Sequence, residues 1–272
     1  MFNKISSQAS KLINLTNKKK YIDSKTKLIT ITSGKGGVGK STFTANIAFL
    51  LAQRGLKIAV LDADIGLANM QVLFNIKPKY TFFDYIDGSK PLRDTITKTD
   101  YDNIFLFAGK SGYQYSKHSN SFVFTRVVED IVSLNEFDIL IVDTGAGLNE
   151  FVKEFLCISD NIIALTTTDP SALTDVYSLI KMLSFEKEKL MLCFNHTRNY
   201  KVGETIANSL ISLARKNRLK EDFMVEYIGN ISTSANISTT GRLRKLFTKE
   251  FFNDNSTKQL QDVIRYLLKN IY

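Results

Sequence analysis

Short apolar runs alternate with stretches of helical spacing along most of the chain. Runs at 27–33 (KLITITS), 56–61 (LKIAVL), 103–108 (NIFLFA), 137–143 (FDILIVD), 161–167 (NIIALTT), 189–194 (KLMLCF) and 225–229 (VEYIG) predict strands. Between most of them apolar residues recur three and four apart, as at Phe43, Ile47, Leu50 and Leu51, an amphipathic helix ahead of the stop signal Gly55. The strands are continuous apolar runs, not alternating ones, which is what a parallel sheet covered on both faces requires. The pattern therefore predicts an α/β fold, a doubly wound and mostly parallel sheet flanked by helices, in one domain over 26–272. No internal repeat or low-complexity tract interrupts it.

Two segments carry patterns of their own. Residues 1–25 read as an extension, in which the polar NLTNKKKYIDSKTK follows a short amphipathic segment from Ile5 to Leu15. Ile5, Ala9, Leu12 and Ile13 share one helical face, suited to a groove on a partner or to capping the domain. At the other end, Leu260, Val263, Ile264, Leu267, Leu268 and Ile271 form one continuous stripe. Burying such a stripe gains a similar free energy against the protein core or a bilayer surface, so the pattern leaves both open.

Composition narrows the class. The 272 residues are 44% hydrophobic, enough for a sizeable core, and no apolar run approaches the roughly 18 residues of a membrane span. MFNKISSQAS lacks the apolar core of a signal peptide, so a cytosolic protein is expected. Cys157 and Cys193 lie in apolar segments and form no CxxC, which reads as packing and not as metal or redox chemistry. His118 and His196 are too far apart and too few to argue a metal site. The net charge of +9 is concentrated at the ends: +6 over residues 1–27 and +4 over 241–272, leaving −1 between. An anionic membrane or an acidic protein suits such ends, and nucleic acid is not the expected partner.

The strongest chemical signal is ITSGKGGVGKSTFTANIAFLLAQRG at 31–55. Gly34, Gly39, Lys40 and Ser41 satisfy G-x-x-x-x-G-K-[ST] between a predicted strand and a predicted helix. Such a loop turns backbone N–H groups toward phosphates; Lys40 neutralises them and the Ser41 hydroxyl joins the shell of Mg²⁺. Three carboxylates are expected beside it. Asp143 ends LIVD, where it can hold a magnesium-bound water, and Asp62 and Asp64 lie in LDADIGLAN, where one of them can orient the attacking water.

KGGVGKST with the additional Lys35, followed by LDADIGLAN and VDTGAG, resembles the deviant Walker loop, second acidic motif and Walker B motif of the MinD/ParA ATPases. The resemblance covers about 26–270, and TTTDPSALTDVYSLIKML at 166–183 is most similar to the flagellar-number regulators of the FlhG type. It implies a slow, dimerisation-dependent ATPase that uses ATP and Mg²⁺. The loop Gly34, Lys35, Gly36, Gly37, Val38, Gly39, Lys40, Ser41 and Thr42 would hold the nucleotide; Ser41, Asp64 and Asp143 would serve the metal, and Asp64 and Lys35 catalysis. Lys35 is implied to reach the phosphates of the other subunit in a nucleotide-bridged homodimer, supplying charge only on association as an arginine finger does. The chain has Arg198 where a GTPase N-K-x-D motif has Asp, so adenine is favoured, and Asn195 is assigned to it by resemblance. A strand-end asparagine satisfying a turn is the alternative.

The same resemblance implies an FlhF-type signal-recognition-like GTPase and flagellar basal-body proteins as partners. SQASKLINL is similar to the DQAxxLR motif that acts on that GTPase, with Ser7 in place of Asp and Ile13 in place of Arg. It also implies reversible membrane association of the C-terminal stripe, helped by the basic GRLRKLF at 241–247. Partition ATPases that coat DNA, division-site ATPases and iron–sulfur scaffolds share the scaffold; the last need clustered cysteines.

Overall fold

The computed structural model describes residues 24–65, 68–111, 122–198, 200–217, 219–220 and 222–272. The amphipathic segment 5–15, the degenerate motif within it and His118 lie outside the described residues.

The chain forms one sheet of eight strands: β1 Lys27–Ser33, β2 Ile58–Ala63, β3 Ile96–Lys98, β4 Ile104–Phe107, β5 Ile139–Ala146, β6 Asn161–Thr166, β7 Lys189–Thr197 and β8 Met224–Ser232. Their order is β3-β4-β2-β5-β1-β6-β7-β8, parallel throughout except for β3, which pairs antiparallel with β4 at the edge. The apolar-run criterion misses β3, whose three residues ITK are too few and too polar to register. The order diverges in both directions from β1, and ligands of such sheets bind at the carboxyl ends of the strands beside that switch point.

Side chains of successive residues leave a strand on opposite faces, and here both faces are covered. Ile29, Ile31, Ile139 and Ile141 face a core shared with α1 (Lys40–Ala52) and α10 (Asn255–Ile271). Leu28, Leu140 and Val142 face α4 (Val123–Ser133) and α5 (Glu150–Ile158). Ile162, Leu190 and Leu192 pack beneath α6 (Pro170–Leu183) and α7 (Tyr200–Lys216).

Two helices differ from their sequence patterns in instructive ways. The spacing in α1 predicts an amphipathic helix, but the helix is buried nearly all round, including Thr44 and Asn46. The reason is that α9 (Phe247–Glu250) covers its outer side: the Asn46 side-chain Oδ1 accepts from the Thr248 N–H at 3.1 Å and hydroxyl at 2.8 Å. The second, α10, turns its stripe inward. Leu260, Val263, Ile264 and Leu267 are buried in the main core, while Leu268 and Ile271 pack at its margin. In this fold the stripe that suited a bilayer faces protein. Among the described residues no helix is long and apolar enough to cross a membrane.

Candidate functional site

The loop between β1 and α1 is built for an anion. Gly39 precedes the first helical residue with φ 87°, a left-handed value that a β-carbon disfavours. No side chain caps α1 and its first turn holds no acidic residue, so the N–H groups of Lys40, Ser41 and Thr42 are directed toward the loop. Gly34 is required for a different reason: a β-carbon there would come within 2.6 Å of the Asp175 backbone in α6.

Beneath the loop lies a buried ion pair. Lys40 Nζ is 3.0 Å from Asp143 Oδ1, with the two side chains 7% and 0% exposed. Thr44, one turn along α1 from Lys40, brings its hydroxyl within 3.0 Å of the same carboxylate oxygen. Sequence reasoning missed Thr44, although its i+4 spacing from Lys40 places it on the same helix face. Asp143 Oδ2 and Asp62 Oδ1 are buried without a hydrogen-bond partner. Buried acceptors normally find one, so these two oxygens mark room for a cationic or hydrated group. Among the described residues no three His, Cys, Asp or Glu side chains converge on one metal position. That donor set fits Mg²⁺ held mainly by phosphate, the Ser41 hydroxyl and water, with Asp143 behind the water.

The two acidic residues of the second motif divide in function. Asp62 stands in register with Asp143 across β2 and β5 and is 1% exposed. Its Oδ2 accepts the Met70 N–H at 3.0 Å, tying β2 to the short helix α2 (Met70–Leu73). Asp64, two residues on, is half-buried and lines a cleft of about 580 Å³ together with Ser33, the loop from Gly36 to Thr42, Asn69, Val72, Leu73 and Ala146. Burial pushes its carboxyl above the usual range, against the pull of Lys40. Asp64 is thus the carboxylate open to a ligand, and Asp62 is a structural one.

Burial, followed by repulsion from Asp143, raises the Asp62 carboxyl to about 7. Between the ordinary carboxylate pKa of about 4 and 7 the folded protein holds a proton there that the unfolded chain releases. Stability contributed by this group therefore falls as pH rises through that window. Asp62→Asn keeps an acceptor for Met70 and removes the charge, so it should stabilise the nucleotide-free protein at pH 8 by on the order of 2 kcal/mol and leave it nearly unchanged at pH 4. Urea denaturation at the two pH values measures this; equal effects at both would sink the assignment.

The remaining predicted residues lie around the loop. Lys35 is exposed, and its Nζ donates to Ser171 Oγ at 2.7 Å near the start of α6. Asn195, at the carboxyl end of β7, donates from Nδ2 to the Val38 carbonyl at 2.8 Å and so braces the loop from the side away from Asp64. The cysteines are remote: burial pushes the Cys157 thiol up to about 12 and raises that of Cys193. Neither thiol is poised as a thiolate.

These features agree with what the chain is similar to. The sequence model of the ParA family, described as NUBPL iron-transfer P-loop NTPase, matches residues 24–268. The flagellum site-determining protein YlxH of Helicobacter pylori is 35% identical over 99% of this chain and 92% of its own. Among solved structures, MinD of Aquifex aeolicus in a MinC:MinD complex superimposes with TM-score 0.73 at 23% identity, covering 89% of this chain and 96% of the other. MinD of Pyrococcus horikoshii complexed with Mg-ADP gives 0.72 at 20% identity, with 89% and 96% covered. Loop, acidic motifs, sheet order and these likenesses lead to one conclusion: the chain belongs to the ParA/MinD family of P-loop ATPases.

Proposed function

We propose that the protein is an ATP-driven switch that dimerises on ATP, hydrolyses it slowly and controls the number or placement of flagella. The observation that carries the chemistry is the buried Lys40–Asp143 pair beneath an uncapped helix start, with Asp64 in the adjoining cleft. The full-length likeness to a flagellum site-determining protein supports the biological role, and the Mg-ADP complex of the Pyrococcus protein supports the ligand.

In this reading the loop N–H groups and Lys40 take the phosphates, and Lys40 leaves Asp143 to do so. Ser41 and, through a water, Asp143 would hold magnesium, which would supply positive charge to the phosphates. Asp64 then orients the attacking water. Lys35 exchanges Ser171 for the phosphates of the second subunit, which makes turnover depend on association. Asn195 borders the adenine side. The segment 5–15 would engage the FlhF-type GTPase, and basal-body proteins would read the dimer. Membrane contact falls to the exposed Arg242–Lys245 turn, in which Leu243 is 62% exposed.

Asp64→Ala tests the switch. It should retain ATP binding, lose at least about 90% of hydrolysis by removing the group that positions water, and accumulate as a dimer on size exclusion with ATP. Cells carrying only this variant should show an altered flagellar count by microscopy. Wild-type turnover, or a monomer at saturating ATP, would overturn the role of Asp64.

A further inference from the structure

We propose that Lys79, Tyr80 and Lys90 form a docking surface for an acidic segment of a partner protein. They lie outside the phosphate loop, on the connection that leaves α2 and on the turn that follows α3 (Phe82–Ile86). Phe82 donates its N–H to the Ala108 carbonyl at 3.0 Å, which fixes this stretch at the carboxyl end of β4.

Local hydrogen bonding builds the surface. Asp84 Oδ2 accepts the Thr81 N–H at 2.7 Å and the Thr81 hydroxyl at 2.8 Å, closing the start of α3 just after Tyr80. The Asp84 carbonyl takes the N–H groups of Ser89 and Lys90 at 3.0 and 3.1 Å, with Gly88 at φ 71° reversing the chain. Lys90 is thereby returned to Tyr80. Its Nζ lies 4.6 Å from the centroid of the Tyr80 ring, and that of Lys79 lies 5.2 Å from it.

Two ammonium groups beside one ring repel each other, and no carboxylate of the fold compensates them. Asp84 is committed to Thr81, and among the described residues neither Lys79 nor Lys90 forms an ion pair. Hydrogen bonding toward Lys90, reinforced by the charge of Lys79, lowers the pKa of the Tyr80 phenol, so both cations bear on its oxygen. The ring also steadies the two side chains. An arriving carboxylate then meets cations that have already given up part of their conformational freedom, which is the main cost of an exposed ion pair. Pro78 and Tyr80, both half-exposed, add an apolar flank for the aliphatic part of the same segment. Nucleic acid fits less well. It requires several phosphate contacts in a row, whereas the exposed Asp87 and Asp94 lie in the same stretch as Lys90 and would repel the neighbouring phosphates.

Fluorescence anisotropy with the full-length protein at low salt tests the assignment. Three labelled probes serve: a decapeptide alternating Glu and Leu, the same peptide with Gln for Glu, and decathymidylate. The Glu peptide should bind and the Gln peptide should not. Lys79→Glu with Lys90→Glu should weaken the Glu peptide at least about tenfold, while melting temperature and ATP turnover stay at wild-type values. Tyr80→Ala keeps the net charge and should still weaken binding about threefold, because the lysines are released. Lys181→Glu with Lys216→Glu makes the same change of charge on exposed positions of α6 and α7, and should leave affinity within about twofold. Equal losses in the two double variants would reduce the effect to net charge and overturn the surface. So would a Gln peptide that binds as tightly as the Glu peptide. Decathymidylate binding tighter than that of the Glu peptide, and lost with Lys79 and Lys90, would overturn the choice of partner.

Discussion

Lys40→Met should leave a protein whose melting temperature no longer responds to ATP·Mg²⁺. In the wild type, ATP at a hundredfold over its Kd adds about 2.7 kcal/mol to the folded state. For a domain of this size that is roughly 5–10 °C in Tm. The variant loses the lysine whose ammonium group is seated beneath the loop, 3.0 Å from Asp143. It also leaves Asp143 buried, with one oxygen near Thr44 and the other without a partner. Removing one member of a buried pair costs about 3–5 kcal/mol, so the nucleotide-free variant should itself melt lower. Lys40→Met with Asp143→Asn separates the two effects: the double variant should regain much of its basal stability and still ignore ATP. Thermal scanning fluorimetry measures both, and a normal ATP shift in either variant would remove Lys40 from the phosphate site.

Leu267→Glu should unfold the domain or nearly so. Leu267 is 0% exposed among Leu260, Val263 and Ile264, in the core that α10 shares with the sheet and α1. A carboxylate placed there loses the packing of the leucine and is desolvated without a counter-ion, a cost above about 4 kcal/mol. Total stabilities of domains are about 5–15 kcal/mol. Leu268, one residue on, packs only at the margin, so Leu268→Glu should cost about 1 kcal/mol and leave a folded ATPase. Urea unfolding of the two variants gives the comparison. If Leu267→Glu folds normally but no longer sediments with anionic vesicles, the stripe is a membrane face and its packed state is one of two.

The contrast between these residues shows where the sequence is sufficient. The phosphate loop is legible because it is local: Gly34, Gly39, Lys40 and Ser41 act within one strand–turn–helix unit, and backbone sterics fix their spacing. The sheet is legible for a related reason, since continuous apolar runs such as ILIV at 139–142 must be covered on both faces. The acidic motifs are half legible. Sequence brings Asp62, Asp64 and Asp143 to one edge of the sheet. Which of the first two is open to a ligand depends on the N–H of Met70, eight residues from Asp62, that engages it.

Contacts between residues far apart in the chain are not legible in this way. Asn46 in α1 is bound to Thr248, Val38 to Asn195, and Lys35 to Ser171. The same distance explains α10: a stripe of Leu260, Val263, Ile264 and Leu267 specifies an apolar neighbour without naming it, and the neighbour here is the core around α1 and β8. Hydrophobic free energy is nondirectional and scales with area, so it determines that a face is buried. Which surface buries it follows from how the chain closes around the sheet. For His196 even the strand period misleads, because a slip in pairing and one left-handed residue turn it to the side of Asn195.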